Sequence, residues 1–158
     1  MISKGFANKL KDIAYALYAW AGHKSPEHYE SHELDKDEIL DLVGKSVRQI
    51  WIEIGMKFRE IYSGTWIDYL LQTNSADLLI VPDVRFPNEI DAIHNRGGKC
   101  IKIIRPNIPD THDVADDALN HYDNHWDAII TNDSSLNGFN NNIIQTFERL
   151  YECQNISQ

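Results

Sequence analysis

The chain has 158 residues, 42% hydrophobic and 25% charged, the balance of one globular domain with a single substantial core. Its formal charge of −9 argues against broad contact with a nucleic-acid backbone, although a few converging arginines still suit a small phosphorylated ligand. No apolar run reaches the roughly 18 residues of a membrane span, and Cys100 and Cys153, without a signal peptide, read as reduced thiols of a cytoplasmic protein.

Phe6, Leu10, Ile13 and Leu17 recur at helical spacing and predict a helix that stops at Gly22. The segment 23–37 carries His23, His28, His32, several acids and Pro26, and reads as a polar loop. Only His28 and His32 are four apart, with no helical apolar pattern around them, so no metal site is expected there. A stronger helix follows from about Val47 to Tyr62, with Val47, Ile50, Trp51, Ile54, Phe58 and Ile61 on one stripe. Ser46 and Gln49 give it a capping box, in which hydroxyl and carboxamide satisfy orphan amides reciprocally. A short helix is expected over Thr65 to Gln72.

The pattern then changes. Leu78 to Val81 is a continuous apolar run, as in a strand covered on both faces. Pro87 suits the first turn of a helix ending near Gly97-Gly98. Cys100 to Ile104 and Ala128 to Thr131 are further strands, and Phe139, Ile143, Phe147 and Leu150 mark a last helix. Alternating strands and helices imply parallel strands with crossovers, hence a three-layer α/β core. Its strands are those at Leu78, Cys100 and Ala128, with Ile2 offering a fourth. No repeat or linker divides the chain, so residues 1–158 are read as one domain.

Two motifs invite over-reading. Gly44-Lys45-Ser46 looks like the tail of a phosphate-binding loop, G-x-x-x-x-G-K-[ST], but position 39 is Ile39 and no apolar strand precedes it. Pro82-Asp83 with Cys100-Ile101-Lys102 mimics a PD…(D/E)xK nuclease site, yet Cys100 stands where the second carboxylate is needed.

The run Val81-Pro82-Asp83-Val84-Arg85-Phe86-Pro87-Asn88-Glu89 is more informative. It puts an acid and a base at the carboxyl end of a strand, where open α/β sheets bind ligands. Asp83 either pairs with Arg85 or caps the next helix, or else it holds a magnesium-bound water while Arg85 holds a phosphate oxygen. Arg48, in the first turn of the long helix, and Arg105 are further anion-binding candidates. Arg59 reads as a surface residue.

These pieces together resemble the deoxynucleoside monophosphate kinases of bacteriophages, members of the P-loop kinase superfamily. The matching segments are Gly5-Phe6-Ala7-Asn8-Lys9-Leu10-Lys11, similar to the family's F-A-D-P-L-K, then Ser46-Val47-Arg48-Gln49, Ile54-Gly55 and Trp66-Ile67. Asp83 to Glu89, Gly97-Gly98, Ile103-Ile104-Arg105-Pro106 and Asn132-Asp133 follow in order. Ala115-Asp116-Asp117-Ala118-Leu119 loosely matches the family's lid, placed at about 106–122.

The resemblance implies phosphoryl transfer from ATP, with Mg2+, to a deoxynucleoside monophosphate in the complete enzyme. It implies Asp83 and Arg85 as catalytic groups, Arg48, Trp66, Arg85 and Arg105 as contacts to substrate, and Asp83 near magnesium through water. The family opens with a strand and phosphate loop ahead of F-A-D-P-L-K, for which Met1 to Lys4 leave no room. The expectation is therefore a kinase-like sheet without its first strand and phosphate loop, inactive alone. Such a chain would dimerise or pair with an N-terminal fragment carrying the loop, in the host cytoplasm if phage-encoded. The alternative is an inactive nucleotide-binding or protein-interaction remnant.

Overall fold

The computed structural model describes residues 1–106, 118, 119 and 121–155, with side chains as far as residue 150. The lid-like segment lies largely outside the described residues. The chain forms two compact units, Met1–Val84 and Arg85–Gln158.

In the first unit, β1 (Ile2–Ser3) pairs in parallel with β4 (Leu79–Ile80), in the register Ile2 to Leu79. Between them lie α1 (Asn8–Tyr18), α2 (Pro26–Ser31), the hairpin β2 (Ile39–Leu40) and β3 (Lys45–Ser46), α3 (Val47–Ile61) and α4 (Thr65–Thr73). Helix α1 buries Leu10 and Ala14 and runs into a 3-10 turn that ends at Gly22, whose φ of 98° favours glycine. Leu17, expected on the buried stripe, is 55% exposed. Ala14 and Tyr18 take the inward positions of that turn instead, packed with Tyr29, Leu40, Val47 and Ile50.

Helices α1 and α3 pack antiparallel, with Leu10 against Gly55, Lys11 over the Trp51 ring and Ala14 in one cluster with Val47 and Ile50. The capping box forms as expected: Ser46 Oγ accepts from the Gln49 amide at 3.2 Å and Gln49 Oε1 accepts from the Ser46 amide at 2.9 Å. The distal end of the predicted α3 stripe is not core, since Ile61 is 81% exposed.

The hairpin was not expected. Gly44 at φ 71° allows the turn, and the Val43 and Gly44 amides both donate to the Leu40 carbonyl at 2.8 Å.

The segment 23–37 also differs from a polar loop. It holds α2 and a 3-10 helix over Glu33–Asp37, organised on two buried aromatic side chains. His23 and Tyr29 are each 2% exposed. His23 Nδ1 lies 2.6 Å from the Lys24 carbonyl, and its Nε2 accepts from Trp51 Nε1 at 3.1 Å. Since the carbonyl can only accept and the indole can only donate, the ring is the neutral Nδ1–H tautomer. Burial pushes its pKa below the ordinary value, outweighing the Lys24 carbonyl. Tyr29 closes the cluster edge-on to both rings, and its hydroxyl accepts the Lys24 amide at 2.9 Å.

In the second unit α5 (Pro87–His94) leads through Gly97, at φ 74°, to β5 (Ile101–Ile104), which pairs in parallel with β6 (Ala128–Thr131). Helix α6 (Leu136–Asn155) follows and packs on β6. Asp127 ties the start of this sheet together, accepting from the Cys100 amide at 2.8 Å, from Lys99 Nζ at 2.9 Å and from His94 Nε2 at 2.9 Å. Burial alone would raise its pKa, but these donors together hold it below the usual carboxylate value.

The protein is thus mixed α/β, with small parallel sheets flanked by helices. The parallel pairing agrees with the sequence. The described strands form three two-stranded sheets, where three or four parallel strands were expected.

Candidate functional site

Strand β4 ends at Ile80, and three residues later Asp83 turns back onto the start of α1. Its Oδ1 accepts from the Phe6 amide at 2.8 Å and its Oδ2 from the Ala7 amide at 3.0 Å. These amides lead directly into α1, whose Ala7 supplies no side-chain cap. The carboxylate therefore satisfies orphan donors and complements the positive end of the helix dipole. Both of its oxygens are occupied in this way, and each retains lone-pair capacity for one further partner.

Arg85 opens the second unit with an exposed side chain. Pro87 fits the first turn of α5, while Glu89 at the third helical position reaches back. Glu89 Oε2 accepts from the Arg85 amide at 2.7 Å and from the Phe86 amide at 3.1 Å, in a carboxylate only 1% exposed. Sequence reasoning placed Glu89 in the motif without giving it a task. The signal was available: an acid two residues after Pro87 sits where a capping side chain reaches the preceding amides.

Arg48 lies on the first turn of α3 and is engaged by Asp37. Its Nε donates to Oδ1 at 2.7 Å and its Nη2 to Oδ2 at 3.3 Å. The guanidinium holds the Asp37 carboxyl below its ordinary pKa, mainly through these hydrogen bonds. Trp66 is 4% exposed, packs against the Phe58 ring and donates Nε1–H to the Gly55 carbonyl at 3.2 Å. Arg105 follows β5 and is exposed.

The structure does not bring Arg48 and Asp83 together. Asp83 holds the first residues of α1, whereas Val47, next to Arg48, packs at the level of Ala14. Seven residues of helix separate those levels, about 10 Å along the axis. Trp66 stands behind α3 at the level of Gly55. Within the first unit these candidates are spread along the α1–α3 pair.

Gly44-Lys45-Ser46 belongs to the hairpin and its turn. Gly44 makes the turn, Lys45 is in β3 and ion-paired to Glu53, and Ser46 caps α3. Among the described residues no group of three His, Cys, Asp or Glu side chains could hold a metal ion. His28 Nε2 lies 2.7 Å from Asp35 Oδ2, and the His28 ring stacks on His32. No described helix is long and apolar enough to cross a membrane.

Small parallel sheets flanked by helices place the chain in the mixed α/β class. Comparison with known proteins gives the family. Residues 41–143 match the model of deoxynucleotide monophosphate kinase, a span that includes Arg48, Trp66, the Asp83–Glu89 run and Arg105. The chain belongs to that family. It is also similar to an Acanthamoeba polyphaga mimivirus protein named, provisionally, as a deoxynucleotide monophosphate kinase. The two are 28% identical over 160 residues, covering 90% of this chain and 81% of the relative.

Proposed function

We propose that this chain supplies the monophosphate side of a deoxynucleoside monophosphate kinase site. The observation that carries the reading is the family match across the Asp83–Glu89 run, which lies where α/β sheets bind ligands. Arg85 and Arg105 are the candidate phosphate contacts in the second unit, and Arg48 is the candidate nucleotide contact in the first. Trp66, buried with its indole N–H bonded to Gly55, supports α3 from behind rather than offering an open stacking surface.

Kinases of this family use ATP and Mg2+ for phosphoryl transfer. Asp83 has lone-pair capacity left for one water of a hydrated magnesium ion, which commonly keeps several waters and few protein ligands.

The sheets favour a partner. Among the described residues each parallel sheet has two strands, and a strand edge without a neighbour invites pairing. Ile80, Ile103 and Ile129 are 41%, 57% and 54% exposed. A second copy, or a segment carrying a phosphate loop, would cover such edges. The inactive nucleotide-binding or interaction remnant draws on the same observation.

The test is calorimetric titration with each of the common deoxynucleoside monophosphates up to millimolar concentration, beside a folding control. Saturable binding of at least one, weakened in Arg85→Gln, is expected. No binding by a folded sample overturns the site.

A further inference from the structure

A groove of about 520 Å3 runs between β6 and α6, lined by Ile129, Ile130 and Thr131 of the strand, by Asp133 beyond it, and by a face of α6 that includes Gln145 and Arg149. Successive side chains of a strand point to opposite faces of the sheet. A groove that touches three strand residues in a row therefore follows the strand's edge. Among the described residues none of β5 lines it, so this is the β6 edge turned away from the neighbouring strand.

That edge lacks the usual protection. Edge strands are ordinarily guarded by a charge, a proline or a bulge. Ala128-Ile129-Ile130-Thr131 carries neither charge nor proline, and Ile129 is 54% exposed. Strand β5, in contrast, carries Lys102, which is ion-paired to Asp123.

The groove is also polar along its length. Asp133 lies just past the carboxyl end of β6. Helix α6 starts at Leu136 and packs back along the strand, so Arg149, thirteen residues on, lies about 20 Å further down the axis. An acid thus marks one end of the groove and a base the other, both exposed. Their charges cancel locally, within a chain whose formal charge is −9.

We propose that the β6 edge is where two copies of this chain meet, antiparallel about a two-fold axis. Under that operation the edge faces itself, and its free amides and carbonyls become each other's partners. The same operation sets Asp133 beside the partner's Arg149, and does so twice. A foreign extended peptide would use the same backbone groups, but it would not account for an acid and a base at opposite ends. The proposal does not depend on the nucleotide reading.

The experiment is sedimentation of the full chain from micromolar to submillimolar concentration, with circular dichroism to confirm folding. The wild type should show a concentration-dependent monomer–dimer equilibrium. Asp133→Arg and Arg149→Glu should each weaken the dimer about three- to thirty-fold, since a two-fold axis loses two exposed ion pairs at once. An equal mixture of these two variants should restore it, because each supplies the charge that the other has reversed. Amide exchange across Ile129 to Thr131 should slow as the dimer forms, a reading that contact through side chains alone would not move.

A folded wild type that stays monomeric throughout overturns the proposal. So does a dimer indifferent to both reversals, or one that Ile103→Lys disrupts instead, which moves the interface to β5. If each reversal weakens the dimer but the mixture does not restore it, the antiparallel two-fold is refuted. Unchanged amide exchange in a dimer refutes edge pairing.

Discussion

A β-carbon placed on Gly5 would come within 2.3 Å of Asp83 Oδ2 and 2.7 Å of its carboxyl carbon. Glycine at position 5 is what lets the carboxylate close onto the Phe6 and Ala7 amides. The bracket joins the segment after the chain's first strand to the end of β4.

Gly5→Ala should force these groups apart and cost about 1–3 kcal/mol, as overpacking does. Asp83→Ala should cost a similar amount, because it strands two amides at a helix start. Urea unfolding of both variants and the double variant provides the check. The double variant should cost less than the sum of the singles, since either change breaks the same bracket.

Acid should weaken the first unit through His23. Its pKa is lowered on folding, chiefly by burial, from an ordinary value of 6.5. The unfolded chain therefore takes up the proton first as pH falls, so stability is full above about pH 6.5 and declines below it. The limiting slope is about 1.4 kcal/mol per pH unit for one proton. Protonated Nε2 would also face the indole N–H of Trp51, donor against donor. Urea midpoints followed by tryptophan fluorescence from pH 7.5 to 5 should show the decline, and His23→Phe should show less of it at a lower overall stability. Equal slopes in the two proteins would refute the assignment.

Ser46→Ala should cost about 1 kcal/mol by removing the N-cap of α3, measured by thermal or urea unfolding. Lys45→Ala, in contrast, should leave deoxynucleoside monophosphate affinity unchanged, because Lys45 serves Glu53 in the hairpin. A large loss of nucleotide binding in Lys45→Ala would restore the phosphate-loop reading of Gly44-Lys45-Ser46.

Self-association should depend on the sheet edges. Ile103→Lys, at a residue 57% exposed, should shift sedimentation toward the monomer if a second copy covers β5. An unchanged distribution would remove that edge from the interface.

Helices with a cap and a stripe were legible in the sequence: the Ser46–Gln49 box and the Gly22 and Gly97 stops appear where local chemistry puts them. So did strands at Leu79, Ile101 and Ala128 and the parallel pairing of the last two. Three things were hidden because they depend on distant partners. The segment 23–37 looked polar, since nothing local says that His23 meets Trp51 across 28 residues. Ile39 and Ser46 showed no strand pattern because each strand of the hairpin is only two residues long. The candidate site was legible as a list of residues, but the task of Asp83 depends on Phe6 and Ala7, 77 and 76 positions away.

The Cys100 thiol lies behind β5 with 4% exposure, and burial together with the Asp127 carboxylate pushes its pKa up to about 11. Such a sulfur stays protonated across the ordinary working range and presents almost no thiolate to oxidants or alkylating reagents. The folded chain therefore offers a quiet background for chemistry at chosen positions. With Cys153 replaced by serine, a cysteine introduced on the hairpin at Leu42, which is 74% exposed, could be labelled selectively with a maleimide dye. Whether deoxynucleoside monophosphate addition reaches the hairpin could then be read from the dye's mobility.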